Sequence, residues 1–439
     1  MTNYLNLNKL TTGEPYALYR KAIWVYIFLL IFEGALRKWI LPSMATPLLM
    51  VREPIVIWLI VVSLQKRWIK SDYAIGMMFV ASISFLMTMA TGHQDLFVAI
   101  FGWRIYFFHF PMIFVIGKVL TRRDLLKIGR FILWLSIPMT GLVIFQFYSP
   151  PTDWVNIGVG GEGTAGFSGA LGYMRPPGTF SFTNGYVAFQ SVVACFLIYY
   201  LMSNKELPVE FRFSNTILVV LIGCYIISVP ISISRTLFFQ TIVILVFLFF
   251  AIIGNMKQKR TVIKFIVVGA IVGPLLYYWG KDSISVEVFL SRYEGANKAE
   301  GGVEGVFLNR YIGGMLGAFN DDNPFWGYGL GLGTNIGAKI IDGEGRDSFG
   351  FYAEEEWQRI VGECGLLLGL VIILLRFSFA LKLFKKAYSS FRLKKDFLPW
   401  ILCPCMLLSL PQAQLGQPTS LGFTVLVAGL TLSAIKNKI

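Results

Sequence analysis

The chain is a succession of apolar runs, many of them roughly 18 residues or longer, the length a helix needs to cross a ~30 Å hydrocarbon core. Runs of that length make the chain polytopic and its fold all-α. About twelve spans are expected, at approximately 22–40, 47–64, 73–91, 96–117, 125–148, 186–203, 215–233, 236–254, 262–280, 359–383, 398–412 and 420–435. Composition agrees: of 439 residues 55% are hydrophobic, and the mean hydropathy is +0.64. The segment 1–19 is polar and lacks a signal-peptide layout, so the first run is read as a retained helix.

The net charge of +14 would suggest nucleic acid in a soluble protein. Here the basic residues sit in short loops between apolar runs, so they report topology and no nucleic-acid partner is expected. Arg20-Lys21, Lys66-Arg67, Arg122-Arg123, Lys205 with Arg212, Lys259-Arg260, Lys382 to Lys395, and Lys436 mark every second connection. The positive-inside rule then places both termini in the cytoplasm. The division is a cytoplasmic segment 1–21, a bundle 22–280 with an external loop 149–185, a large external loop 281–358, and terminal helices 359–439. The five cysteines lie in or beside apolar runs and read as small hydrophobes.

Charges inside apolar runs require an explanation, because each costs roughly 2.5–3.5 kcal/mol at the bilayer centre on insertion scales. Glu33 and Arg37 are four apart, with Lys38 adjacent; Arg52 and Glu53 open the second run. Mutual neutralisation is the plain reading of such a pair. His109 reads as a satisfied core histidine, whereas Arg104 needs a partner or an anion. Arg235, in Ser232-Ile233-Ser234-Arg235, turns two long runs at the external edge. It either snorkels or binds phosphate oxygens bidentately.

The large external loop gathers polar chemistry between oily stretches. It passes through Arg310, Asn323-Pro324-Phe325-Trp326-Gly327-Tyr328-Gly329-Leu330-Gly331 and Glu354-Glu355-Glu356-Trp357. Its Gly and Pro content argues for short interfacial helices over one long one. Gly327, Gly329 and Gly331 permit close approach to a ligand, or form plain turns. Trp326 and Trp357 offer faces for sugars, or anchor the interface.

Together these pieces resemble the O-antigen polymerase and O-antigen ligase family of bacterial membrane glycosyltransferases. The resemblance rests on Arg175-Pro176-Pro177-Gly178-Thr179-Phe180, Ser234-Arg235, Arg310, the Asn323–Gly331 stretch, and Glu354 through Glu363, Gly365 and Gly369, covering roughly 130–435. Phe32-Glu33-Gly34-Ala35-Leu36-Arg37-Lys38-Trp39 looks like a subfamily signature. The resemblance implies a GT-C-like fold in the bacterial inner membrane and an inverting, metal-independent glycosyl transfer at its outer face. The implied donor is a glycan on undecaprenyl diphosphate. The acceptor is another lipid-linked repeat (polymerase) or a lipid A core (ligase), and a chain-length regulator is a possible partner. Ligases of this family usually carry His-Asn where this chain has Glu354-Glu355, which favours the polymerase. A transporter or flippase would show paired discontinuous helices, and no such pairing is visible.

The residues suggest roles for this chemistry. Arg175, Arg235 and Arg310 are candidates to stabilise a diphosphate leaving group. Glu354 is the candidate base, with Glu355 and Glu356 raising its proton affinity by like-charge repulsion. The competing reading is an acidic helix start favoured by the helix dipole, with Arg359 neutralising Glu355. No Asp-x-Asp motif is present to hold a metal, and no cofactor is expected.

Overall fold

The computed structural model describes residues 16–164, 166, 168–253, 283–300, 314–319, 323–341, 353 and 355–436. Those residues form an all-helical protein, with isolated bridges only at Ile157–Thr164 and Ser168–Met174. The long helices are α1 (Ala17–Ala35), α2 (Glu53–Gln65), α3 (Asp72–Thr91), α4 (Leu96–Val119), α5 (Arg122–Tyr148) and α6 (Thr183–Ser203). They continue as α7 (Asn215–Ile231), α8 (Arg235–Ile253), α9 (Ile284–Glu300), α10 (Glu356–Lys394), α11 (Phe397–Ser409) and α12 (Pro418–Lys436). Among the described residues nine helices are long and apolar enough to cross a membrane, the layout of a multi-pass membrane protein. The expected span 262–280 lies outside the described residues.

Burial sorts these helices into an inner and an outer set. The most apolar stretches of α4, α6 and α12 are 78%, 78% and 83% buried, while those of α7 and α8 are each 22% buried. α12 packs along α4, α11 and α6, and α10 packs along α11 and α3. The outer faces carry exposed Phe79, Leu86, Val219, Phe249, Phe250 and Leu374. In water such a surface would aggregate; against acyl chains it is at home.

Local sequence explains where the helices begin and bend. Thr121 and Asp124 form a capping box on α5, Asp95 accepts from the Val98 amide to start α4, and Asp396 caps α11. Helix α1 ends in a π-helical turn, Leu36–Ile40, and α4 contains another, Ile105–His109. Each extra residue re-aims the side chains beside it, and both turns carry buried polar side chains: Arg37 and Lys38 in one, His109 in the other.

Two boundaries differ from expectation. The second span is interrupted: Pro42–Met44 and Ala45–Leu48 form short helical segments, and the long helix runs only from Glu53. Helix α10 continues to Lys394, eleven residues beyond the expected stop at 383. The lysines read as a loop are its last turns. From Leu370 to Leu398 the chain has no Gly or Pro, and Lys, Leu, Ala and Arg favour helix. It stops at Lys395, in the left-handed conformation.

One end of the bundle bears Arg122 paired with Asp396 at 2.9 Å and Arg20 with Asp124 at 3.3 Å. The opposite end gathers the connections 41–52, 92–95, 149–182, 232–234 and 410–417.

Candidate functional site

The arginines of the opposite end come from separated stretches. Arg175 lies on the loop before α6, Arg235 opens α8, and Arg292 sits on α9. The loop lies on the α7–α8 turn: a Cβ at Gly169 would come within 2.8 Å of the Ile233 side chain. Helix α9 packs on α7 and meets α8 through Phe289 and Tyr293 against Phe238. Arg175 is half-buried, and its Nε is buried without a hydrogen-bond partner among the described residues. Burial first, then the charges of Arg292 and Arg235, push its guanidinium below the usual range. A cation held at such a cost is stabilised by any anion that reaches it.

The Arg175 loop is bolted down behind. Gly178 donates its amide to Gln146 Oε1 at 2.8 Å, and its carbonyl accepts from Lys38 Nζ at 2.7 Å. Thr179 Oγ1 donates to the Ile31 carbonyl at 2.7 Å, and Arg37 Nη1 donates to Ser181 Oγ at 3.1 Å. Gly34 allows this contact, since a Cβ there would lie 2.4 Å from the Ser181 amide nitrogen.

Beneath lie two buried charge groups. In the first, Glu33 bridges Arg37 at 3.4 Å and Arg52 at 3.1 Å, and Arg52 also donates to the Pro418 carbonyl at 2.8 Å. Glu53 pairs with Arg104 and, at 3.0 Å, with His109. The partner Arg104 requires is therefore Glu53; His109 meets the same carboxylate through Nε2, while its Nδ1 is buried with no hydrogen-bond partner among the described residues. In the second group Glu356 bridges Arg359 at 2.9 Å and Arg376 at 2.6 Å, and Arg359 also holds Glu363 at 2.7 Å. Tyr106 Oη accepts from Arg359 Nη2 at 2.9 Å.

The other expected site residues divide as follows. Arg310 and Glu354 lie outside the described residues. Glu355 caps α10, its side chain accepting from the Gln358 amide while Gln358 accepts from the Glu355 amide. Arg359 does not neutralise Glu355 through its side chain, as the spacing suggested; it turns inward to Glu356 and Glu363. Glu356 in turn does not stand in a row of mutually repelling carboxylates, because two guanidiniums compensate it. Trp357 Nε1 donates to the Pro411 carbonyl at 3.1 Å. Trp326 is partly exposed, edge-on to Phe325.

Gly327, Gly329 and Gly331 have φ of 78°, 116° and 91°, which favours glycine. The close approach they permit is to the chain's own helices. A Cβ at Gly327 would sit 2.4 Å from the Gly365 nitrogen, and one at Gly331 would sit 2.1 Å from the Val98 carbonyl. Gly365 interrupts α10 at φ 76°, and the loop occupies the gap: Tyr328 and Gly329 donate to the Gly362 and Glu363 carbonyls at 2.7 and 3.0 Å. His93 Nε2 pairs with the Leu330 carbonyl at 2.9 Å from the α3–α4 connection.

The structure thus brings Arg175 and Arg235 together and packs Gly327 on the α10 break, Gly331 on α4 and Gly329 against His93 and Thr88. Sequence reading missed Arg292, within a stretch taken as part of the large external loop and here on helix α9. It also missed Arg376, a lone cation in the apolar run 366–381 to which the cost of charge in lipid applied directly. No family model matches the chain, and no curated protein matches it.

Proposed function

We propose that the protein is a polymerase of lipid-linked oligosaccharide repeats, working on undecaprenyl-diphosphate donors at the outer face of a bacterial inner membrane. The observation that carries this reading is the arrival of Arg175, Arg235 and Arg292 at one end of an oily bundle, with a guanidinium nitrogen on Arg175 that has no partner among the described residues. Guanidinium forks match phosphate oxygens. Helices α7 and α8, largely unburied by protein, leave room for a carrier's tail beside that end. In this reading the chain has about twelve spans in a GT-C-like arrangement. The ninth is 262–280, a large external loop follows it, and both termini are cytoplasmic.

The proposed chemistry is an inverting transfer. The acceptor hydroxyl loses its proton to Glu354 as it attacks the anomeric carbon. The bond from that carbon to the phosphate oxygen breaks, and the departing diphosphate gains negative charge beside the arginines, with Arg310 joining them. Glu355 fixes the start of the helix that follows Glu354, and Trp326 offers an exposed face to a sugar ring. Glutamates at the family's His-Asn positions support the polymerase over the ligase.

The test is the banding of lipid-linked glycan from cells producing Arg235→Ala, Arg292→Ala, Arg310→Ala or Glu354→Gln protein at normal membrane levels. Short, unextended repeats are expected for each. Long chains accumulating on the carrier would instead indicate a ligase, and repeats retained on the cytoplasmic side a transporter. Undiminished long chains in all four variants would overturn the enzyme reading.

A further inference from the structure

The stretch Phe32–Trp39 stands apart from the proposed chemistry, yet it is the part of the chain that grips the Arg175 loop. Lys38, at 1% exposure, places Nζ 2.7 Å from the Gly178 carbonyl. Arg37 reaches Ser181 at 3.1 Å and the Ala45 carbonyl at 2.7 Å. The Arg37 carbonyl accepts from Gly160 at 3.1 Å, so the outer part of the same loop is tied to the same turn. Glu33 holds Arg37 in place and joins it through Arg52 to the start of α12. The π-helical turn is what allows Arg37 and Lys38, adjacent in sequence, both to face protein.

We propose that Lys38 and Arg37 are positioning residues: they clamp residues 178–181 so that Arg175, three residues earlier, is aimed at the anion beside Arg235 and Arg292. This rests on the reading of Arg175 as a diphosphate ligand. Three features set the clamp apart from ordinary packing. A lysine is the most expensive way to hold one carbonyl in an apolar wall. Its bond is short and directional, Nζ donating to the Gly178 carbonyl at 2.7 Å. The loop it fixes also has Gln146 on the opposite side, donating to the same carbonyl at 3.3 Å. Gly178 is therefore held from two helices, and its φ of 61° sets the chain's direction between Arg175 and α6.

The experiment uses the full chain in lipid nanodiscs, with undecaprenyl diphosphate as the probe and a nitroxide on a cysteine at the exposed Leu171. Binding, label mobility and thermal stability are measured together. Lys38→Met is expected to weaken binding about tenfold, the worth of one buried hydrogen bond, and to free the label. Lys38→Arg, which can still donate to Gly178, restores both. Ser181→Ala gives the same pattern more weakly and stands in if Lys38→Met does not fold. If Arg175→Ala loses binding while Lys38→Met and Ser181→Ala keep it, the clamp is wrong and the diphosphate reading stands. If Arg175→Ala binds as the wild type does, the reading of Arg175 is wrong and the clamp's role falls with it. Lowered stability with binding and label mobility unchanged would reduce Lys38 to a packing role.

Discussion

Replacing Glu356 by Gln decides whether the acid at the head of α10 is a brace. Its oxygens accept from Arg359 Nε and Nη2, each at 2.9 Å, from Arg376 Nη1 at 2.6 Å and from the Leu415 amide at 3.1 Å. A glutamine of the same shape loses the charge and turns an NH₂ toward guanidinium donors. Arg359 would keep Glu363. Arg376, with no exposed surface, would keep, among the described residues, the Leu410 and Ala413 carbonyls. Breaking a buried pair by removing one partner costs about 3–5 kcal/mol, because the other charge stays buried. Glu363→Gln leaves Arg359 paired and should cost less, about 1.5–3 kcal/mol, the worth of a hydrogen bond to a charged group. The assay is unfolding of the full chain in mixed micelles of rising sodium dodecyl sulfate content, followed by tryptophan fluorescence. Arg376→Met added to Glu356→Gln should recover about 1 kcal/mol or more, since the stranded charge is gone. A Glu356→Gln protein within about 1 kcal/mol of wild type, or a double variant as unstable as its singles summed, would refute the reasoning.

Two further outcomes follow from the geometry. Gly365→Ala should lower stability by about 1–3 kcal/mol, seen in the same unfolding assay, because φ is 76° and the new Cβ would meet the Phe325 carbonyl at 2.1 Å; Gly223→Ala, with open space around it, is the control. A cysteine at Leu171 should react with a membrane-impermeant maleimide added to intact spheroplasts, whereas one at Lys66 should react only after lysis. The reverse pattern would invert the proposed orientation.

The helices were legible because the cost of leaving a peptide group unpaired in lipid leaves a chain of long apolar runs little other choice. The charge pairs were half legible. Glu33 and Arg37 declare themselves by their spacing of four, and Arg104 by its lack of any local partner. That Arg104 finds Glu53, and that Arg52 bridges to the start of α12, depends on helix packing that no local window contains. The role of the glycines illustrates the same limit. Their positive φ could be anticipated, but whether the space they free is filled by a ligand or by the chain's own helices depends on packing such as that at the Gly365 break. The reach of α10 to Lys394 was misjudged because loop charge was used to end a helix that its own residues favour.

The two buried groups differ in their balance, and the difference bears on what the end of the bundle attracts. Around Glu356 two carboxylates face two guanidiniums, Arg359 and Arg376, so the group fixes geometry and projects little field. In the other group, among the described residues, Arg37, Arg52 and Arg104 stand against Glu33 and Glu53, a surplus of one positive charge. This surplus lies directly behind the loop that carries Arg175. Apolar walls screen charge poorly, so the surplus adds to the potential at Arg175, where water would have damped it. A neutral glycan gains nothing from such a field, whereas a diphosphate does, most of all as its bond to sugar breaks and charge accumulates on it. Arg37 would then both help to clamp the loop and belong to the surplus that polarises it.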